Sequence, residues 1–132
     1  MKPDAESEVR NLYPSLRLPP GASSGLGIYV YALRDPRCGQ VFYVGKGRGN
    51  RVFNHVLAVL TGRKAPDWDR DPQKVKRSKA ETIRSIHADN VAVEHLILRD
   101  GIKNDPEALM VEQAVIDAYA ATGHPLANLV SG

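Results

Sequence analysis

Six polar side chains stand where their chemistry could combine: Tyr29 and Tyr43 on two short apolar runs, Arg51 and His55 four residues apart just beyond, Glu112 beside a later apolar stripe, and Asn128 near the C-terminus. A tyrosine hydroxyl can take a proton from water only if a nearby cation stabilises its ionised form. Arg51 or a metal ion could supply that charge. One carboxylate cannot build an all-protein metal cage, but Mg²⁺ commonly keeps several waters and takes one or two carboxylates plus substrate phosphate oxygens, so Glu112 would suffice. A lone carboxylate at the edge of an apolar stripe is costly unless it faces a site that uses it.

The elements that must position these groups follow from hydrophobic period and breaker residues. Residues 28–33 and 41–44 are apolar runs separated by Arg34, Asp35, Pro36, Arg37, Cys38, Gly39 and Gln40, which predicts a hairpin. Tyr29 and Tyr31 alternate on one face of the first strand, and Tyr43 can lie across from them on the second. Taken alone, this is also what an ordinary half-buried aromatic cluster looks like. Gly45-Lys46-Gly47-Arg48-Gly49 reads as a flexible elbow. It is not a phosphate-binding Walker loop, because no glycine stands five places ahead of Gly45 and no Ser or Thr follows Lys46. Val52, Phe53, Val56, Leu57 and Leu60 then mark a helix with Asn50 as N-cap and Gly62 as its stop.

Residues 62–72 read as an exposed connection, where Trp68 is either a latch onto the core or a stacking surface for a base. A second helix over 73–88 has Val75, Thr82, Ile83 and Ile86 inward and Lys74, Lys76, Arg77, Lys79 and Arg84 outward. Residues 91–99 predict a third strand ending at Asp100-Gly101. Asp105 as N-cap and Pro106 at the first helical position open a last helix through Tyr119, with the stripe Ala108, Val111, Val115 and Ala118. His87 and His95 lack partners at metal-ligand spacing and read as structural or solvent-facing. Residues 1–26 form an N-terminal arm, with a short helix around 6–12 and a Pro/Gly/Ser-rich remainder. Residues 27–132 form one domain.

Composition bounds the function class. With 132 residues and 42% hydrophobic content the chain can bury one core. The polar, acidic start argues against a signal peptide, and no run approaches membrane-spanning length. A single cysteine excludes an internal disulfide and a cysteine-rich zinc site, and fits a reducing compartment. The net charge is +3, yet residues 46–79 hold ten basic and three acidic side chains, a local +7 that leaves −4 for the rest. Such an excess is the footprint of a polyanion-binding face, with Lys46, Arg48, Arg63, Lys64, Lys74, Lys76, Arg77 and Lys79 as candidate DNA contacts; a merely solvated basic surface is the alternative.

Gly27-Ile28-Tyr29, Tyr43-Val44-Gly45, Arg51 and His55 on a helix, Glu112 within Glu112-Gln113-Ala114-Val115-Ile116-Asp117, and Asn128-Leu129, in that order, resemble the GIY-YIG nuclease superfamily. Each tripeptide alone is a weak signal, and the ordered set spanning most of the chain is a strong one. The resemblance implies an α/β (α+β) fold with a small three-stranded antiparallel sheet flanked by helices, and a DNA endonuclease that hydrolyses phosphodiesters with one divalent ion, Mg²⁺ or Mn²⁺. It further implies Tyr29 as general base, Tyr43 orienting water or phosphate, Arg51 stabilising the phosphorane, Glu112 as metal ligand and Asn128 as a brace; His55 stands at a position that varies between His and Tyr. Tyr43-Val44-Gly45-Lys46-Gly47 and the basic insertion over 62–89 resemble the LEM-domain and ankyrin-repeat branch, which acts on branched or bridging DNA and so implies a role in DNA repair. Lys46-Gly47 departs from the small or polar residue followed by Thr that many members carry.

Two other readings compete: a catalytically silent nucleic-acid-binding module of the same fold, and a purely structural α/β domain. A retired site would have lost Tyr29, Arg51 or Glu112, and all are present. The structural reading leaves Glu112 and the basic segment unexplained. The expected setting is the cytoplasm, or the nucleus in a eukaryote, with DNA as partner, no membrane, and a homodimer or a partner protein as further options.

Overall fold

The computed structural model describes residues 25–62 and 73–129. The expectations for a helix at 6–12, for the arm through Ser24, and for Arg63, Lys64 and Trp68 lie outside these residues.

The hairpin forms as expected and is longer than the apolar runs alone: β1 spans Ile28–Asp35 and β2 spans Gln40–Gly47. Helix α1 (Arg51–Thr61), helix α2 (Gln73–Ala88), strand β3 (Glu94–Ile102), helix α3 (Asp105–Ala121) and a 3₁₀ turn (Ala127–Leu129) follow. The sheet is antiparallel throughout, in the order β2-β1-β3. The three-stranded antiparallel sheet with flanking helices is therefore present.

Strand β1 is central, and successive side chains on it point to opposite faces. Tyr29, Tyr31 and Leu33 join Val52, Val56, Val75, Ile83 and Ile86 in a core under α1 and α2. Val30 and Ala32, with Val41 and Val44, meet Ile116 and the flank of α3 on the other side. Along β2 the register passes from Arg34 opposite Val41 to Leu33 opposite Tyr43, so Phe42 is an extra residue. This bulge lets Phe42 and Tyr43 both turn into the α1/α2 core.

Several expectations need correction. Gly45-Lys46-Gly47 is not an elbow but the end of β2, with Gly45 opposite Tyr31 and Gly47 opposite Tyr29. Strand β3 starts at Glu94 and runs on through Asp100-Gly101, because register shifts opposite Ile28–Tyr31 absorb the extra residues and Gly101 adopts φ 63°. The N-cap of α3 is Asn104, whose side chain accepts from the Glu107 N–H at 2.9 Å, so Asp105 is the first helical residue. The inward stripe of α3 takes in Ile116 and Tyr119, while Ala118 is exposed. Lys79 does not face outward: it is completely buried, because Val75, Lys79 and Ile83 stand four apart on the line of α2 that meets the sheet.

Candidate active site

The two tyrosines of β1 each lie across from a glycine of β2. A Cβ on Gly45 would fall 2.6 Å from the Tyr31 hydroxyl oxygen and 2.7 Å from its ring, a distance no real pair tolerates. The bare backbone at Gly45 is what lets Tyr31 lie over β2. At Gly47 the same atom would fall 2.9 Å from Cδ and 3.0 Å from Cβ of Arg51. There the missing side chain gives the arginine stem its channel along the end of β2.

Tyr29 is fully buried, and its hydroxyl is engaged in both senses. It donates to the Gly49 carbonyl at 2.6 Å and accepts from the Val52 N–H at 3.1 Å. Asn50 occupies the N-cap of α1 but makes no side-chain cap bond, so the tyrosine satisfies one of the orphan donors of that helix end. Burial pushes the Tyr29 hydroxyl pKa up, and the Val52 N–H and the nearby Arg51 charge oppose that rise. Arg51 itself is half-buried at the first turn of α1.

One turn further along α1, His55 reaches a second group. Its Nε2 is hydrogen-bonded to the Tyr31 hydroxyl, and its Nδ1 lies 2.9 Å from Nζ of Lys79. The Tyr43 ring meets the imidazole edge-on with centroids 5.0 Å apart, and Lys79 Nζ stands 4.1 Å from the Tyr43 centroid. Tyr29 and Tyr31 are themselves edge-to-face at 6.0 Å. The fold thus brings Tyr29 to Arg51, and Tyr43 to His55. It adds Tyr31, signalled by its place on the same strand face as Tyr29, and it moves Lys79 from a candidate DNA contact on the outer surface to a fully buried neighbour of His55, signalled by its i, i+4 spacing between two inward apolar residues.

Asn128 makes a two-point clamp on the outer edge of β2. Its Oδ1 accepts from the Val44 N–H and its Nδ2 donates to the Val44 carbonyl, each at 2.9 Å. His124 Nδ1 accepts from the Val41 N–H at 2.9 Å on the same edge. Together they occupy backbone groups an edge strand would leave open. Glu112 comes from the other layer, half-buried on α3 in line with buried Ala108 and Ile116. Among the described residues no three His, Cys, Asp or Glu side chains converge to hold a metal ion. A single carboxylate of this kind fits an ion that keeps water and substrate oxygens as its remaining ligands.

Of the candidate DNA contacts, Arg48, Lys74 and Arg77 are exposed, and Lys46 and Lys76 are half-buried. His95 packs its ring 4.9 Å from Phe53, and burial lowers its pKa to about 4, in keeping with a structural role. No helix among the described residues is long and apolar enough to cross a membrane.

A family model described as the LEM-3-like GIY-YIG domain matches residues 37–132, 96 of the 132. The span covers Tyr43-Val44-Gly45, Arg51, His55, Lys79, Glu112 and Asn128, and starts beyond Gly27-Ile28-Tyr29. No curated protein and no solved structure matches the chain.

Proposed function

The chain belongs to the LEM-3-like GIY-YIG family, and from that membership, which carries a nuclease-type activity, we propose that it is a divalent-metal-dependent DNA endonuclease selective for branched DNA. The observation that carries this reading is the placement of Arg51. Its stem runs along Gly47, and its charge lies beside a tyrosine that ties down the start of α1. An arginine held in this way is preorganised for charge that develops on a phosphate in the transition state.

In the proposed reaction a water oxygen adds in line to phosphorus, the bond to the 3′-oxygen breaks, and the proton the water gives up to solvent is matched by one the leaving 3′-oxygen takes from solvent, leaving a 5′-phosphate and a 3′-hydroxyl. Arg51 stabilises the extra negative charge on the equatorial oxygens, and Tyr43 orients water or phosphate. The buried, doubly bonded hydroxyl of Tyr29 is poorly suited to taking a proton at neutral pH, so Tyr29 fixes Arg51 and the N-terminus of α1 instead. Asn128 holds β2, and with it Tyr43, in register. Mg²⁺ or Mn²⁺ on Glu112 would supply positive charge for the leaving oxygen. Arg48, Lys74 and Arg77 lie on exposed surface where a DNA backbone could be gripped. A reducing compartment, cytoplasmic or nuclear, suits the single exposed Cys38.

The engagement of Tyr29 also favours a second reading, a DNA-binding module without cleavage. Incubation with linear, nicked, flap and four-way DNA, with Mg²⁺, Mn²⁺ or chelator, separates the two. Metal-dependent cleavage that is strongest on flap or four-way substrates is expected; binding without cleavage of any substrate would leave the silent module.

A further inference from the structure

The buried lysine under the tyrosines has a task that neither phosphate gripping nor core packing accounts for. Lys79 has no exposed surface, and its Nζ lies between the imidazole Nδ1 of His55 and the face of the Tyr43 ring. An aromatic face attracts an ammonium, and burial of that charge is tolerated only where hydrogen-bond acceptors meet it. An ammonium has three donors and no lone pair. The nitrogen it faces must therefore present a lone pair, and the single proton of a neutral imidazole is left on Nε2, which faces the Tyr31 oxygen.

We propose that Lys79, held as an ammonium by the Tyr43 ring and the imidazole, is a positioning residue that locks His55 as the neutral Nε2–H tautomer, making His55 a fixed donor to Tyr31 and not a proton acceptor. The groups facing the imidazole include, among the described residues, Lys79 from α2, Tyr31 from β1 and Tyr43 from β2, with Arg51 one turn away on its own helix. With its oxygen occupied by the His55 N–H, the Tyr31 hydroxyl turns its own proton away from the imidazole. The same ammonium seats the Tyr43 ring, so one buried charge fixes the histidine and the second motif tyrosine together. The consequence for cleavage rests on the nuclease reading above, whereas the tautomer does not.

The test is ¹⁵N NMR of the His55 ring at neutral pH in the full chain. The wild type should show a protonated Nε2 and an unprotonated Nδ1. Tyr31→Phe should keep that pattern, since the lysine sets it. Lys79→Met, shown to be folded by circular dichroism, should lose the single tautomer and cleave about a hundredfold more slowly, the scale of a misplaced reacting group. A proton on Nδ1 in the wild type would overturn the proposal, as would a folded Lys79→Met with an unchanged His55 pattern. If Lys79→Met does not fold, the wild-type and Tyr31→Phe spectra still decide. Failure of the wild type to cut DNA would remove the nuclease reading and leave the tautomer result in force.

Discussion

The phenolic oxygen of Tyr29 accepts the Val52 N–H at 3.1 Å, so a strand residue performs for α1 the capping that Asn50 does not. The bond joins sheet and helix at the point where Arg51 begins. Tyr29→Phe keeps the ring and its packing but leaves the Val52 N–H and the Gly49 carbonyl without their partner. A loss of about 1–3 kcal/mol is expected from stranding such groups, read as a lower denaturation midpoint at constant m-value. An unchanged midpoint would mean that the hydroxyl contributes nothing to the junction.

Gly45 and Gly47 should respond differently to the same added methyl. At Gly45 the obstacle is the rigid Tyr31 ring, so Gly45→Ala should cost about 1–3 kcal/mol by overpacking and displace Tyr31 from His55. At Gly47 the nearest atom is Cδ of a flexible arginine stem, although Cβ of Arg51 lies only 3.0 Å away. Gly47→Ala should therefore spare more stability than Gly45→Ala while moving the guanidinium. Thermal melts of both variants beside cleavage rates would show it; equal melting losses would contradict this division.

These glycines also mark where local sequence stops being informative. The hairpin, the three helices and the central apolar strand were legible because periods of two and 3.6 are written in neighbouring residues. Gly45-Lys46-Gly47 reads as an elbow because glycine usually breaks a strand, whereas here the two glycines make room for Tyr31 from β1 and for the Arg51 stem from α1. Lys79 read as exposed because it is charged, although its spacing from Val75 and Ile83 placed it on the inward line. Asn104 and Asp105 are both good caps, and only the fold chose between them. Tyr31 meets His55 across 24 residues and Asn128 meets Val44 across 84, relationships that no window along the chain contains.

His95 should make stability fall on mild acidification. Burial depresses its folded-state pKa to about 4, below the ordinary value of 6.5. Between those values the unfolded chain binds a proton that the folded chain refuses, so stability is full above pH 6.5 and is lost as pH falls towards 4. Since the ring is only partly buried, the contribution is roughly 2–3 kcal/mol at most. His95→Leu keeps an apolar side chain beside Phe53 and removes the proton site. Its melting temperature should vary less than that of the wild type across this window, and parallel curves would assign the acid sensitivity elsewhere.

Arg51 and Glu112 separate transition-state charge from metal binding. Arg51→Ala should slow cleavage by about 10²–10³ in kcat, the cost of removing one preorganised group that meets developing charge. Stability should change little, because Arg51 is only half-buried and the Tyr29 cap on α1 does not involve its side chain. A change confined to KM would demote Arg51 to the phosphate-gripping set. Glu112→Ala should abolish divalent-dependent cleavage while leaving affinity for DNA near that of the wild type. Removing a half-buried carboxylate from between Ala108 and Ile116 should also leave α3 folded. The two variants then differ in metal response: raising Mn²⁺ should restore nothing to Arg51→Ala and, at most, partial activity to Glu112→Ala. Full cleavage by Glu112→Ala at ordinary Mg²⁺ would sink the assignment of that carboxylate to the metal.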